Sequence, residues 1–279
     1  MDVLQVRYGA KDTGKRLASS LKDTGFAVLC DHPISAGLVT ETYEQWERFF
    51  ADPAKHDYTF DPESQDGYFP LRSENARGRI QKDLKEFFHV YPRTRLPEGV
   101  SERTRRLYDA LGRLAAELLG LIEAHMPDAG RSRLSMPLPR MIDGSPHTLL
   151  RVLHYPPLAG DEEEGAVRAA AHEDINLITL LVAATAPGLQ VCDTQGRWHD
   201  VPADPGTVVV NAGDMLQMAT GGDYRSTPHR VVNPEGDEAF RSRLSMPLFL
   251  HPWPEVRLSD RHTAGSYLEE RLREIGLKG

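Results

Sequence analysis

His172-Glu173-Asp174, His229 and Arg243-Leu244-Ser245 are the residues of this chain whose types and spacing can do redox chemistry. Two imidazoles and one carboxylate form a facial set that holds non-haem Fe(II) and leaves further coordination positions open. On a strand, residues i and i+2 face the same way, so His172 and Asp174 are expected side by side, with Glu173 turned away. His229 must then arrive from a distant strand. Zn²⁺ accepts the same two-His, one-carboxylate set, so a zinc hydrolase or isomerase is an alternative on the ligands alone.

Arg243 and Ser245 share a face by the same alternation, with Leu244 and Met246 on the other. An inward Arg is costly without a partner. A core Asp could supply one. A dicarboxylate co-substrate, gripped by the guanidinium fork and the Ser hydroxyl, is the other candidate, with Tyr155 as a further donor. The octapeptide RSRLSMPL occurs twice, at 131–138 and 241–248, and so offers a rival pair in Arg133 and Ser135. The second copy is preferred because it follows His229 in a strand-rich stretch. Arg151, Leu153 and Tyr155 alternate onto one face, so Arg151 is expected to share an interior with Tyr155. Its partner is either a protein carboxylate, with Glu86 or a neighbour of Asp174 as candidates, or an anionic group on the substrate.

These residues need a scaffold. The first half reads as helix over 12–24, strand over 25–30, helix over 35–51 with Ser35 as N-cap, loop over 56–82, a strand over 83–91 and a long helix over 101–126 with Ser101 as N-cap. The second half shows short apolar runs at 148–155, 175–183, 207–211, 214–219, 229–233 and 242–250, separated by Gly and Pro turns. That pattern indicates a sandwich or jelly roll. A closing helix is expected over 264–275. The fold class is therefore mostly β with helices (α+β). The chain reads as one integrated domain over 1–279, with a helical and strand region over 1–145, a core bearing the site over 146–252 and a C-terminal helical part over 253–279.

Composition narrows the partners. A net charge of −8 over 279 residues speaks against nucleic acid. No apolar run reaches the roughly 18 residues a membrane span needs, and the N-terminus has no apolar signal core. A cytoplasmic setting is expected. Cys30 and Cys192 are too few for a disulfide framework and are expected as buried free thiols.

The motifs resemble those of the isopenicillin N synthase-like branch of the Fe(II)/2-oxoglutarate oxygenases over nearly the whole length. GFAVLCDHPI and WERFFADPAKH resemble its N-terminal region, and DLKEFFHV its D-x-K-E-x-F segment. HEDINLITLLV, STPHRVVNP and RSRLSMPLFLHP resemble its metal and co-substrate segments. The family's Asn-x-Tyr is Leu153-His154-Tyr155 here. The resemblance implies a distorted double-stranded β-helix, Fe(II) on His172, Asp174 and His229, and 2-oxoglutarate on Arg243, Ser245 and Tyr155. It also implies a dioxygenase that uses O2, releases succinate and CO2, and oxidises a small-molecule substrate, most simply by hydroxylation. Desaturation and cyclisation are alternatives, as are family members that use no 2-oxoglutarate.

Overall fold

The computed structural model describes residues 3–74, 81–202 and 204–274. Strand β1 (Gln5–Arg7) leads into helix α1 (Thr13–Thr24), strand β2 (Phe26–Cys30) and helix α2 (Ala36–Ala51). Ser35 caps α2 as expected, its Oγ accepting from the Leu38 N–H. Strands β3 (Gly67–Phe69) and β4 (Glu86–Val90) precede the long helix α3 (Ser101–His125). The N-cap of α3 is Val100 rather than Ser101, which is the first helical residue and makes no side-chain cap. The loop expected over 56–82 contains β3 and the end of a 3-10 turn, Pro53–Tyr58, while residues 75–80 lie outside the described ones. The polar, Gly-rich composition of that segment hid a strand of only three residues.

Short helices α4 (Asp128–Arg131) and α5 (Leu138–Ile142) lead to the β-rich half. It holds β5 (Leu149–Tyr155), β6 (Ala169–His172), β7 (Ile178–Val182), β8 (Leu189–Cys192), β9 (Trp198–Asp200) and β10 (Val208–Ala212). Helix α6 (Asp214–Ala219), β11 (His229–Val231), β12 (Arg243–Ser245), β13 (Pro247–Leu250) and helix α7 (Ala264–Glu274) complete the chain. Residue 275 of the expected closing helix lies outside the described residues.

The run at 214–219 is thus a helix, not the strand its apolar content suggested. Met, Leu, Gln and Ala are good helix formers, and Leu216 and Ala219, three apart, share its buried face. The run at 242–250 is two strands, broken at Met246. Cys30 and Cys192 are free thiols but only half-buried.

The strands form two facing sheets. The larger runs β1-β2-β10-β7-β13-β5-β4-β3, with β12 also paired to β5; the smaller runs β6-β11-β8-β9. Strands from both halves of the chain therefore share one sheet. Period-2 alternation divides the large sheet between two cores. Ala27, Leu29, Phe88, Val152, Leu180, Val210 and Leu248 pack on the helices, with Leu107, Leu111, Leu114 and Leu118 of α3. Phe26, Val28, Phe87, Leu153, Tyr155 and Val209 face the small sheet, meeting Ala169, Leu189, Val191 and Val231. Each buried Leu or Phe contributes roughly 1.5–3 kcal/mol relative to exposure, so burial on both faces fixes the register of the large sheet. Trp46 is buried against α3, its indole N–H donating to Thr104 Oγ1 at 2.9 Å. The helices thus brace one side of the sheet, and the other side is free to build a site.

Candidate metal centre and the cavity above it

His172 and His229 are direct cross-strand partners in the antiparallel pair β6 and β11. Their rings lie 4.4 Å apart between centroids. Asp174 is not on the strand: β6 ends at His172, and Asp174 sits in the turn that follows. The i, i+2 alternation therefore does not account for its placement. Instead a second cross-strand pair does. Thr179 of β7 lies opposite Asn211 of β10, and both donate to Asp174 Oδ2, at 2.6 and 2.8 Å. The other oxygen, Oδ1, is left facing the imidazoles, 3.6 Å from His229 Nε2 and 4.0 Å from His172 Nε2.

Both imidazoles are oriented from behind. The Nδ1–H of His172 donates to the Ala170 carbonyl at 2.8 Å, and that of His229 to the Thr227 carbonyl at 3.1 Å. Each Nε2 lone pair is thereby turned to the centre, the arrangement by which outer hydrogen bonds fix a metal-binding tautomer. Phe26 packs edge-on to His229 at 5.5 Å. All three ligand atoms lie within 4.8 Å of one another. Burial opposes ionisation of Asp174, but His229, His172 and the Thr179 and Asn211 hydrogen bonds outweigh it and lower its pKa. Desolvation and the neighbouring His229 push His172 down to about 4. The carboxylate is thus ionised and His172 neutral near pH 7, as metal ligation requires.

Two glycines permit this closeness. Gly25, at φ +74°, has Thr227 Oγ1 only 2.3 Å from where a Cβ would stand, so the segment that orients His229 can press on the end of α1. At Gly213 a Cβ would meet the Asn176 carbonyl at 2.2 Å and the Asp174 carbonyl at 2.9 Å.

Deeper between the sheets, Arg243 lies opposite Tyr155 and Ser245 opposite Leu153 in the β12–β5 pair. Arg243 is 1% exposed, with its guanidinium 5.2 Å from the Tyr155 ring centre. Its Nε donates to the Ala186 and Pro187 carbonyls, at 2.9 and 3.1 Å. Its Nη1 is buried with no partner. The core Asp that could have satisfied it is not among these contacts. A buried donor left open beside Ser245 and Tyr155 fits a carboxylate ligand. The first copy of the repeat takes no part. Arg133 is exposed, with its side chain against Gly221, and Ser135 donates to the Arg257 carbonyl.

A cavity of about 920 Å³ opens over His172 and Asp174. Arg151 lines it as expected from its alternation, but its partner is Glu74, not Glu86 or a neighbour of Asp174. Nη1 and Nη2 of Arg151 reach the two Glu74 oxygens at 3.1 and 3.5 Å, and Nε donates to His89 Nε2 at 2.8 Å. Lys85 binds Glu74 and Asp83, both at 2.9 Å. Burial opposes the charge on Glu74, yet Arg151 and Lys85 hold its pKa well below the usual range. Glu86 points to the helix side, where it meets Lys55, His154 and Tyr68.

Sequence reasoning missed His89, Glu74 and His251, which also line this cavity. Phe87-His89 alternation on β4 could have flagged His89. Glu74 lies in a loop with no periodic signal. Burial and nearby His147 push His251 down to about 4.

A family model described as the 2OG-Fe(II) oxygenase superfamily matches residues 146–252, and a model for the N-terminal part of non-haem dioxygenases in morphine synthesis matches residues 5–109. The 2-oxoglutarate-dependent dioxygenase citB of Monascus ruber is 31% identical over 241 residues, covering 75% of this chain and 70% of that protein.

The chain belongs to the 2OG-Fe(II) oxygenase superfamily.

Two solved structures extend the match. A Shewanella oneidensis protein described as an oxygenase is 50% identical with a TM-score of 0.90, covering 100% of both chains. A 2OG-Fe(II) oxygenase family protein from Caulobacter crescentus is 30% identical with a TM-score of 0.81, covering 98% of this chain and 99% of that one. The jelly roll expected from the strand pattern is the fold of this superfamily, and its members need Fe(II), 2-oxoglutarate and O2. The chain is accordingly an Fe(II)- and 2-oxoglutarate-dependent dioxygenase. No helix among the described residues is long and apolar enough to cross a membrane.

Proposed function

We propose that this oxygenase hydroxylates a small-molecule substrate in the cavity above His172 and Asp174, working as one unit over its whole length in the cytoplasm. The observation that carries the reading is the division of labour at Asp174: one oxygen is held by Thr179 and Asn211, and the other is left for a metal. His172, Asp174 and His229 hold Fe(II). Arg243, Ser245 and Tyr155 hold the far carboxylate of 2-oxoglutarate, supported by the open Nη1 of Arg243. When bound, iron with 2-oxoglutarate and O2 supplies an oxidation that releases succinate and CO2 and leaves a hydroxyl on the substrate.

The chain's own residues bind, orient and shield. The Ala170 and Thr227 carbonyls keep the imidazoles in place. Phe26, Val28, Leu153 and Val209 surround the co-substrate side with apolar surface, which excludes water and strengthens each polar contact there. Arg151 is the candidate substrate contact. Its charge is already matched by Glu74, so the substrate need not be an anion. A group that accepts a hydrogen bond from Arg151 suffices, and a carboxylate would share the guanidinium with Glu74.

The test is a metabolite screen that reads succinate formation coupled to loss of the added compound. Oxygen consumption that depends on added Fe(II) and on 2-oxoglutarate is expected. Turnover with Zn²⁺ and no oxygen uptake would instead mark a hydrolase or isomerase, and oxygen uptake without 2-oxoglutarate would mark an oxidase.

A further inference from the structure

We infer that Arg168, with Arg243, forms a two-guanidinium seat for the far carboxylate of the 2-oxo acid co-substrate. The inference rests on the assignment of that carboxylate to Arg243 made above.

Arg168 stands immediately before β6 and is 2% exposed. Its backbone is fixed, because its N–H donates to Asn233 Oδ1 at 2.9 Å and Asn233 in turn donates to the Ala166 carbonyl at 2.9 Å. Its Nη2 donates to the Arg241 carbonyl at 2.8 Å. That places the guanidinium at the start of the strand that carries Arg243. Nε of Arg168 is buried and has no partner, as is Nη1 of Arg243. Both side chains spend their remaining hydrogen bonds on main-chain carbonyls, which leave the positive charge unmatched.

Two buried cations with unmatched charge are unfavourable unless an anion regularly offsets them. Burial and the Arg243 charge both act to lower the Arg168 pKa, while Tyr155 acts the other way. The acid whose field reaches Arg168 is Glu238, and that side chain is half-exposed and paired with Arg241 at 3.2 Å. It does not neutralise the buried pair. A carboxylate has lone-pair positions for both forks and Tyr155 besides. Arg168 therefore adds a second charge contact to the co-substrate site, and it favours a 2-oxo acid with a second carboxylate over one without.

Calorimetric titration of the Mn(II)-loaded protein with 2-oxoglutarate and with 2-oxobutyrate, which lacks the far carboxylate, tests this without turnover. Arg168→Gln is expected to weaken 2-oxoglutarate about 10–100-fold, the range of a lost charged hydrogen bond, and to leave 2-oxobutyrate within about two-fold of the parent. Melting temperatures of the ligand-free proteins establish that the variants fold. If Arg168→Gln does not, Arg168→Lys carries the same comparison, with an expected loss of about 3–10-fold for 2-oxoglutarate alone, because charge stays and the planar fork goes. Unchanged 2-oxoglutarate affinity, or equal losses for both acids, would show Arg168 to be only a strut between β6 and residue 241, and would overturn the inference. Arg243→Gln serves as the reference. If it too leaves 2-oxoglutarate binding intact, the underlying assignment falls. If it alone weakens binding, only the role of Arg168 falls.

Discussion

Thr179 Oγ1 donates to Asp174 Oδ2 at 2.6 Å from a strand that does not carry the carboxylate. Because Thr179 lies opposite Asn211 in register, a single cross-strand pair fixes which Asp174 oxygen faces the two imidazoles. The orientation of a candidate ligand in a loop is thus set by a buried cross-strand pair of the large sheet. Thr179→Val should lower iron affinity about 10–100-fold, the usual cost of removing such an outer partner. His172→Ala and Asp174→Ala should remove both bound iron and turnover. Metal titration followed by activity assay checks all three, and a Thr179→Val protein with parental affinity would show that the hydrogen bond does not matter.

Arg243→Lys keeps the charge but loses the planar fork, so the apparent affinity for 2-oxoglutarate should fall while iron stays bound. Arg133→Lys, in the other copy of the octapeptide, should change nothing measurable, since Arg133 is exposed. A side-by-side titration with the opposite outcome would reverse the assignment.

Arg151→Met should raise the Michaelis constant for the substrate and leave 2-oxoglutarate binding unaltered, because Arg151 lines the outer cavity and not the seat near Arg243. Steady-state kinetics with each substrate varied in turn separates the two constants. Equal rises in both would place Arg151 in general support of the fold.

Stability of the metal-free protein should fall between pH 7 and pH 5. Burial and the adjacent Arg151 hold the pKa of His89 well below its usual value, so on acidification the unfolded chain takes up a proton before the folded one. The stabilisation is complete above the ordinary histidine pKa of about 6.5 and drains away below it, at up to about 1.4 kcal/mol per pH unit. Glu74, also depressed, enters only when pH drops through the carboxylate range. Chemical denaturation at several pH values should show this slope, and His89→Gln, which retains an acceptor for Arg151, should make it shallower by one group's share, leaving the shares of His172 and His251, which are depressed in the same way. A slope unchanged by the substitution would assign the effect elsewhere.

The candidate metal ligands could be picked out because their chemistry is rare in type and ordered in sequence, and the structure brings their ligand atoms within 4.8 Å of one another. Arg243 was legible through alternation, since an inward cation on a buried strand demands an explanation. The same alternation correctly turned Arg151, Leu153 and Tyr155 to one side. It failed at Asp174, where the strand has already ended at His172 and hydrogen bonds from β7 and β10 take over. Composition failed at 214–219, where an apolar run of helix formers was read as a strand. Glu74 was out of reach, because a loop residue that finds its partner 77 positions away leaves no local pattern. The repeated octapeptide makes the same point. Its first copy follows a helix end as turns, with Arg131 donating to the carbonyls of Glu123, Ala124 and Met126. Its second copy is strand, with Arg243, Leu244 and Ser245 all buried.

Helix α7 buries only Ala264 fully, yet Leu268 and Leu272 form part of the cavity wall. It is tied down through Tyr267, whose hydroxyl donates to Asp214 at 2.7 Å. One part of the cavity wall is therefore contributed by a stretch of chain that carries none of the candidate iron ligands. Exchanging that helix would reshape one wall of the cavity while His172, Asp174 and His229 stayed where they are, and a laboratory chimaera grafted beyond residue 263 would recut that wall alone.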